Sequence, residues 1–449
     1  MRALICVLLL SMWSAFAGQP NVVIILADDL GYGDLSCYGG KIPTPNLDRM
    51  AVEGLRHTDF HSNGAVCSPS RAALMTGRYQ QRCGVDGVVT ADPGMAAYQF
   101  GLDAEKETTL PAVMSGAGYK AGLFGKWHLG YMAKYHPMNH GFDRFVGFVS
   151  GNIDYHSHYD RMETFDWWHD RELTKEKGYS TQLITSHAVE YIKENKDKPF
   201  FVFVAHEAVH APVQGPTDVI QRGPDKVKGK RRPSDVVYRD MLTELDKSVG
   251  EILQMLRDHG LAEKTLVVFA SDNGPMPLAS AGPLKGKKGS IYEGGHRVPG
   301  LFWWPGTIQP GVEEKRTAAL FDLFPTMVDL AGIEGEFDFD GTSLRGLWSD
   351  GKFPERKLFW RKGGLSPYEP KLENGMDVPK AIRDGKWKLV AQPGYRKVEL
   401  FDLDSDLGER KNLAAKHPER TERMKKELQA WEKEMLESLP YQTRPAKGK

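Results

Sequence analysis

The sequence predicts an α/β fold: a mostly parallel sheet flanked by helices. Three observations carry that expectation. Three apolar runs rich in β-branched and aromatic residues, 21–27, 199–205 and 265–270, each lead into polar residues. A run of that kind reads as a strand buried on both faces, as in a parallel sheet covered by helices. Segments with apolar residues at helical spacing lie between the runs. Gly (47) and Pro (27) are plentiful, which suits tight loops around a sheet better than a helical bundle. A length of 449 residues accommodates one large α/β domain with an accessory unit. With 41% hydrophobic and 26% charged residues, wholesale disorder is excluded. Lys+Arg (59) and Asp+Glu (59) balance, so the chain is a poor match for DNA or an anionic membrane surface. No nucleic-acid or membrane partner is expected.

Each element follows in order. Arg2, the apolar run 3–10 and Ala15-Phe16-Ala17 have the form of a cleavable export signal over residues 1–18. The apolar run is too short to span a bilayer. The expected location is therefore periplasmic or secreted. No Asn-x-Ser/Thr acceptor occurs, which leans towards a bacterial source. Residues 21–27 form the first strand and end at Asp28-Asp29. Residues 44–54 form a helix opened by Pro45. Residues 179–194 and 234–259 are amphipathic helices, and the basic, Gly/Pro-rich stretch 221–233 between them reads as a mobile surface loop or, alternatively, a loop near a substrate. The strand at 199–205 leads to His206 and His210, and the strand at 265–270 leads to Ser271-Asp272-Asn273-Gly274.

A composition break at 349–354 separates an expected main domain, 19–350, from a smaller α+β unit, 351–442. The latter combines short strands at 357–360, 386–390 and 399–402 with a charged helix over 419–436. The tail, 443–449, reads as disordered. After signal cleavage Cys37, Cys67 and Cys83 remain. In an oxidising compartment the odd count leaves one cysteine over. Cys37 and Cys83 flank the Cys67 region and are expected to pair or lie close together.

Polar residues past the carboxyl ends of buried strands mark the ligand crevice of an open α/β sheet. A lone Asp-Asp pair reads as a turn or a cap. Asp28 and Asp29 on one strand end with Asp272 and Asn273 on another read instead as hard oxygen donors for Ca²⁺ or Mg²⁺.

The segment Cys67-Ser68-Pro69-Ser70-Arg71, continuing to Thr76-Gly77-Arg78, resembles the signature of the type I sulfatases of the alkaline phosphatase superfamily. The resemblance extends, in the family's order, through Asp28-Asp29, Gly125-Lys126-Trp127-His128-Leu129-Gly130, Ser271-Asp272-Asn273-Gly274 and Lys288 to Gly295. It ends with Arg383-x-Gly385-x-x-Lys388-Leu389 and 399–403. It implies an alkaline-phosphatase-like fold with a large mixed, mostly parallel sheet and a small C-terminal antiparallel sheet plus helix. It implies sulfate-ester hydrolysis in which Cys67 is oxidised to formylglycine by a maturation enzyme, and its hydrate is the nucleophile.

The family pattern assigns Arg71 and Lys126 to holding the hydrate, with His128 beside them, and Lys288 to the sulfate. Lys285 and Lys287 compete for that last position, but Lys288 stands four residues before Tyr292 as the pattern requires. His210, followed by a small residue and proline, matches the catalytic histidine. His206 then reads as structural. The expected metal set is Asp28, Asp29, Asp272 and Asn273 with residue 67, and the expected ion is Ca²⁺, with Mg²⁺ the alternative. The pattern around Phe142, Gly147 and 208–214 is most similar to the arylsulfatase and N-acetylgalactosamine-6-sulfatase branch, which implies a sulfated carbohydrate substrate. Residues 147–159 with Trp167 and Trp168 suit a sugar, as rings to stack on and polar groups to bind hydroxyls, or else form an ordinary surface loop. Two further functions stay open: a phosphatase or phosphodiesterase of the same superfamily, and a non-catalytic sulfated-glycan-binding protein.

Overall fold

The computed structural model describes residues 19–229, 231–363 and 378–438. The expected signal and tail lie outside them. β1 (Asn21–Ala27) is buried along its whole length. The other strands of its sheet are β2 (Leu55–His61), β3 (Lys120–Lys126), β4 (Arg144–Phe148), β5 (Trp168–His169), β6 (Glu172–Leu173), β7 (Phe200–Ala205), β8 (Thr265–Ser271), β9 (Arg297–Trp303), β10 (Val312–Glu314) and β11 (Ala318–Ala319). The order is β10-β2-β9-β8-β1-β7-β3-β4-β5-β6, with β11 beside β2. The centre, β8-β1-β7-β3-β4, is parallel throughout, while β9 runs antiparallel between β8 and β2. The sheet is thus large, mixed and mostly parallel, as the sequence predicts.

β1 shows why the centre is buried on both sides. Val23, Ile25 and Ala27 join a core beneath α1 (Pro45–Glu53), α4 (Ser180–Glu194) and α5 (Ser234–Asp258). Val22, Ile24 and Leu26 join a second core beneath α2 (Cys67–Thr76), α3 (Leu110–Gly116) and α7 (Leu323–Ala331). Each of these Val, Ile and Leu side chains contributes on the order of 1.5–3 kcal/mol of burial free energy. The strands that the apolar-run reading missed are those that break the run. β2 carries the buried polar residues His57, Asp59 and His61, and β3 has glycines at 122 and 125.

The basic loop at 221–233 is tied down near both ends rather than loose. The Gln221 and Arg222 amides donate to Asp154 Oδ2, at 2.6 and 3.0 Å. Arg232 pairs with Asp218 and Asp240, each at 2.6 Å. Cys37 and Cys83 do not pair. Both are free thiols, Cys37 packed against the first core and Cys83 buried in the second. The sheet lies between those cores, so flanking Cys67 in sequence does not bring the two together.

The C-terminal unit is a four-stranded antiparallel sheet, β12 (Lys357–Arg361), β13 (Lys380–Asp384), β14 (Trp387–Ala391) and β15 (Val398–Asp402), packed on α8 (Pro418–Glu437). Its core includes Ala73, Tyr79, Ile291 and Phe321 from the preceding chain, so the two sheets are fused through shared packing. Trp360 Nε1 donates to the Ser62 carbonyl at 2.8 Å. Lys388 Nζ, fully buried, lies 2.9 Å from Glu293 Oε1 and 3.1 Å from Glu409 Oε1. Glu293 belongs to the short helix α6 (Glu293–His296) at the start of β9. Removing one partner of a buried ion pair leaves an uncompensated charge. Lys388→Met is therefore expected to destabilise the protein by about 3–5 kcal/mol, read from the urea midpoint. A midpoint equal to wild type would show that the network does not fasten the two sheets.

Candidate active site

Parallel strands end at a common edge, and four of them deliver the site. β1 delivers Asp28 and Asp29, β8 delivers Asp272 and Asn273, β3 ends at Lys126 with His128 beyond, and β7 leads to His206 and His210. β2 runs in the same direction as β8, being antiparallel to the intervening β9, and its exit loop leads to α2. Cys67 is the first residue of α2, after Val66 in extended conformation. Pro69 fits there because the first helical turn has no intrahelical use for its missing N–H. The helix start also offers a positive dipole end to any anion at residue 67.

The expected residues come together. Cys67 Sγ is 3.3 Å from Asp28 Oδ1 and 3.3 Å from Lys288 Nζ. Lys126 Nζ donates to Asp28 Oδ2 at 2.6 Å. Lys288 Nζ is 2.6 Å from Asp29 Oδ1. Arg71 donates through Nε to Asp272 Oδ2 at 3.0 Å and through its guanidinium to the Lys126 carbonyl at 2.8 Å. Asn273 Nδ2 donates to Asp29 Oδ1 at 2.7 Å. One ligand atom each from Asp28, Asp29, Cys67 and His210 lies within 4.8 Å of the others.

Lys285 and Lys287 point elsewhere. The first donates to the Glu409 carbonyl and the second to the Pro277 and Ala279 carbonyls. His206 is buried and bonded to Ser248 Oγ of α5 at 2.8 Å, a structural role.

Charge explains the protonation states. Burial opposes ionisation of Asp28, but Lys126, His210, Arg71 and Lys288 outweigh it and hold the carboxyl far below its usual range. Asp272 goes the other way: burial and the neighbouring Asp28 push it up to about 6. Burial, Asp272 and Asp28 push the Cys67 thiol well up, so as a plain cysteine it stays protonated and unreactive. Burial would neutralise Lys288, yet the carboxylates of Asp29 and Asp28 keep it charged. Burial, Lys126 and Arg71 hold His128 well below its usual range, so it is neutral at pH 7. Its Nε2 lies 3.1 Å from the Val89 carbonyl and donates to it, which leaves Nδ1 buried and without a partner. Asp29 and His128 both take left-handed backbone, φ 62° and 56°, a strained choice for non-glycine residues that is frequent at functional sites. Gly151 sits so close to the His128 ring that a Cβ there would lie 2.8 Å from Nε2.

His210 Nδ1 donates to the Ala211 carbonyl at 2.7 Å, and Nε2 lies 3.5 Å from Asp29 Oδ2. Burial lowers its pKa while Asp29 and Asp28 oppose that. The loop carrying it is pinned to β1, Asp28 N to the Ala208 carbonyl at 3.0 Å and Val209 N to the Asp28 carbonyl at 2.9 Å. Sequence reasoning missed the residue behind it. Tyr155 Oη donates to the carbonyls of Glu207 and His210, at 3.0 and 2.9 Å. No local pattern signals a bond made across more than fifty residues of chain.

The aromatic stretch expected to stack on a sugar is therefore largely internal. Tyr155 and Trp167 are both fully buried, and Trp167 stacks on His158 with centroids 4.4 Å apart. Trp168 is half-buried and lines a cavity of about 230 Å³ with Tyr131, His136 and Arg171.

A family model described as Sulfatase matches residues 20–333, most of the chain. The chain belongs to the sulfatase family. It is a sulfuric ester hydrolase, and the family generally uses a formylglycine and a divalent metal. A second model, N-sulphoglucosamine sulphohydrolase C-terminal, matches 287–435. The sulfatase is 36% identical to the N-acetylgalactosamine-6-sulfatase of Sus scrofa over 375 residues, 77% of this chain and 69% of that protein. It is 34% identical to Homo sapiens arylsulfatase A, over 89% of this chain and 84% of that one. Among solved structures it is similar to Ps i-CgsB, crystallised with a neocarrahexaose, with a TM-score of 0.80, 29% identity and 92% of each chain covered.

Tyr155→Phe removes only the hydroxyl that holds the His210 loop. We expect the sulfatase variant to fold and to lose on the order of 10-fold in kcat, since a misplacement of about 1 Å can cost about 10²-fold. Steady-state kinetics with an unchanged KM would separate this from lost substrate binding. Wild-type kcat would exclude the role.

Proposed function

We propose that this sulfatase removes sulfate from a carbohydrate, with formylglycine formed from Cys67 as the nucleophile and Ca²⁺ held by Asp28, Asp29, Asp272 and Asn273 with residue 67. The observation that carries the reading is the seat of Cys67. It stands at a helix N-terminus, between the Asp28 carboxylate and the Lys288 ammonium, in a form whose own thiol is inert. Its sulfur stands in for the oxygens of the hydrate. A maturation enzyme that makes formylglycine is the partner this requires.

The donor set suits a hard cation. It is rich in oxygen, and Asn273 Oδ1 is buried with no hydrogen-bond partner. Asp272 is pushed up by burial and by the neighbouring Asp28 carboxylate, a repulsion that a bound cation relieves. When bound, Ca²⁺ supplies positive charge for the sulfuryl oxygens and the nucleophile. Formylglycine hydrate offers two hydroxyls on one carbon: one to attack sulfur in line, one whose loss of a proton expels sulfate and restores the aldehyde. An ordinary serine has no second hydroxyl for that step.

The chain's own residues do the rest. Arg71, Lys126 and Lys288 surround residue 67 with fixed positive charge, where a sulfate ester develops negative charge. His210, with Lys288, protonates the departing alcohol. An arriving sulfate monoanion adds to Asp29 and Asp28 in favouring protonated His210. His128 takes the proton of the second hydroxyl at Nδ1, the nitrogen left without a partner when Nε2 donates to Val89. A carbohydrate substrate is supported by the names of relatives: an N-acetylgalactosamine-6-sulfatase, and Ps i-CgsB crystallised with a neocarrahexaose. A phosphatase or phosphodiesterase reading is disfavoured by a cysteine at the nucleophile position and a metal set rich in oxygen.

A desulfation screen against defined sulfated oligosaccharides tests the substrate class. Turnover of phosphate esters alone would overturn it. Acid or base assistance is typically worth 10²–10⁴-fold, so the two histidines separate kinetically. In rapid-quench experiments His128→Ala should release alcohol in one burst without releasing sulfate. His210→Ala should show no burst and should lose least with acidic leaving groups. The reverse pattern would exchange the two roles. Metal analysis should find one Ca²⁺ per chain, absent from Asp272→Ala together with the activity. Calcium retained in that variant would remove Asp272 from the ligand set.

A further inference from the structure

Among the described residues three clusters of metal-ligating side chains have their ligand atoms within 4.8 Å of one another. One is the active site. A second, His61, Glu293 and His296, already holds a cation, because Lys388 Nζ lies 2.9 Å from Glu293 and 3.0 Å from His296 Nε2. The third, His169, Glu176 and His187, contains no cation and serves no step of the hydrolysis. We propose that it is a zinc site, in which two imidazoles and a carboxylate bind the ion and leave a position open to solvent.

The geometry is that of convergent ligands. His169 Nε2 is 3.0 Å from Glu176 Oε2, and His187 Nε2 is 2.8 Å from Oε1, so both rings turn the same nitrogen to one carboxylate. The ring centroids are 5.1 Å apart and nearly perpendicular, at 82°. Zinc bonds of about 2.0–2.2 Å need ligand atoms a little over 3 Å apart, which these contacts approach. Two histidines and one glutamate are a donor set that zinc uses with water as fourth ligand. Carboxylate oxygen alone would suit Ca²⁺; paired imidazoles favour zinc. The three side chains are 35%, 23% and 21% exposed, enough for an ion to enter and a water to remain.

The carboxylate is also held in place, since buried Trp167 donates from Nε1 to Glu176 Oε2 at 2.9 Å. Such support of a ligand is typical of built metal sites. On binding, each neutral imidazole carries its proton on Nδ1 and presents the Nε2 lone pair.

The placement gives the ion something to do. β5 and β6 are two residues each, at the edge of the large sheet, too short to be stable as a hairpin. His169 lies on β5, Glu176 beyond β6, and His187 on α4, which packs against the sheet. An ion bound by all three clips the edge hairpin and the segment behind it to a core helix. β5 pairs with β4, whose exit carries Gly151 against His128, so the clip fastens the flank of the catalytic site.

The test is a zinc titration of the full-length protein kept in excess Ca²⁺, against a chromogenic chelator, with metal analysis after dialysis. Wild type should bind one more zinc than His187→Gln and one more than Glu176→Gln, and calcium content should be the same in all three. Any zinc that enters the active-site crevice stays in every variant, so the difference isolates this site. Loss of a direct ligand should weaken zinc by more than the 10–100-fold that loss of a ligand's support costs. Zinc should raise the melting temperature of wild type and not of the variants. Equal zinc content and equal thermal shifts in wild type and both variants would overturn the proposal.

Discussion

The parallel pairing of β8, β1, β7 and β3 is the constraint on which the rest of this sulfatase depends. Because the four strands run the same way, their carboxyl ends open on one edge, and residues separated by more than two hundred positions meet there. Asp28 and Asp272 each follow directly on neighbouring strands paired in register, Ala27 opposite Ser271. A one-residue slip would turn one carboxylate away from the other, since side chains alternate between faces. Alternate side chains of β1 pack into two separate cores, which hold the strand from both faces of the sheet. Packing far from the chemistry thus sets the spacing of the charges.

Those charges are held in a balance that the fold alone makes possible. Three fully or nearly buried carboxyl groups face the buried Lys126 and Arg71 and the partly exposed Lys288, so bulk water screens little of the cluster. Their protonation states are therefore set by neighbours: Asp28 is held ionised, Asp272 resists ionisation, and Lys288 stays charged despite its burial. The same low dielectric that makes such a cluster costly makes it effective on a developing charge. The C-terminal sheet supports this arrangement indirectly. Its Lys388 and Arg383 meet Glu293 and Asp59, on elements that border the segments carrying Cys67 and Lys288.

The edge of the sheet opposite β10 follows a different logic. There the strands dwindle to two residues, and order comes from side chains: Asp166 accepts from the Val149 and Ser150 amides, and Glu176 gathers two imidazoles and an indole. Of the rings in 147–168, Tyr155 holds the His210 loop and Trp167 fills this region.

The sequence by itself determined the class of fold, the motif around Cys67 and the oxygen-rich strand ends. Each of those signals is local: an apolar run, a motif around Cys67, paired acids just past a strand. The helices at 180–194 and 234–258 were legible for the same reason, since helical periodicity is written within a few turns. Tertiary structure decided what depends on contacts distant in the chain. It turned Lys288 rather than Lys285 or Lys287 towards Cys67, set the Tyr155 hydroxyl under two carbonyls, and put Cys37 and Cys83 against different cores. It inserted β9 antiparallel beside β8 and gathered His169, Glu176 and His187 from a strand, a loop and a helix. Local sequence fixes which groups a segment can offer; which of them meet is settled by how the sheets and helices exclude water together.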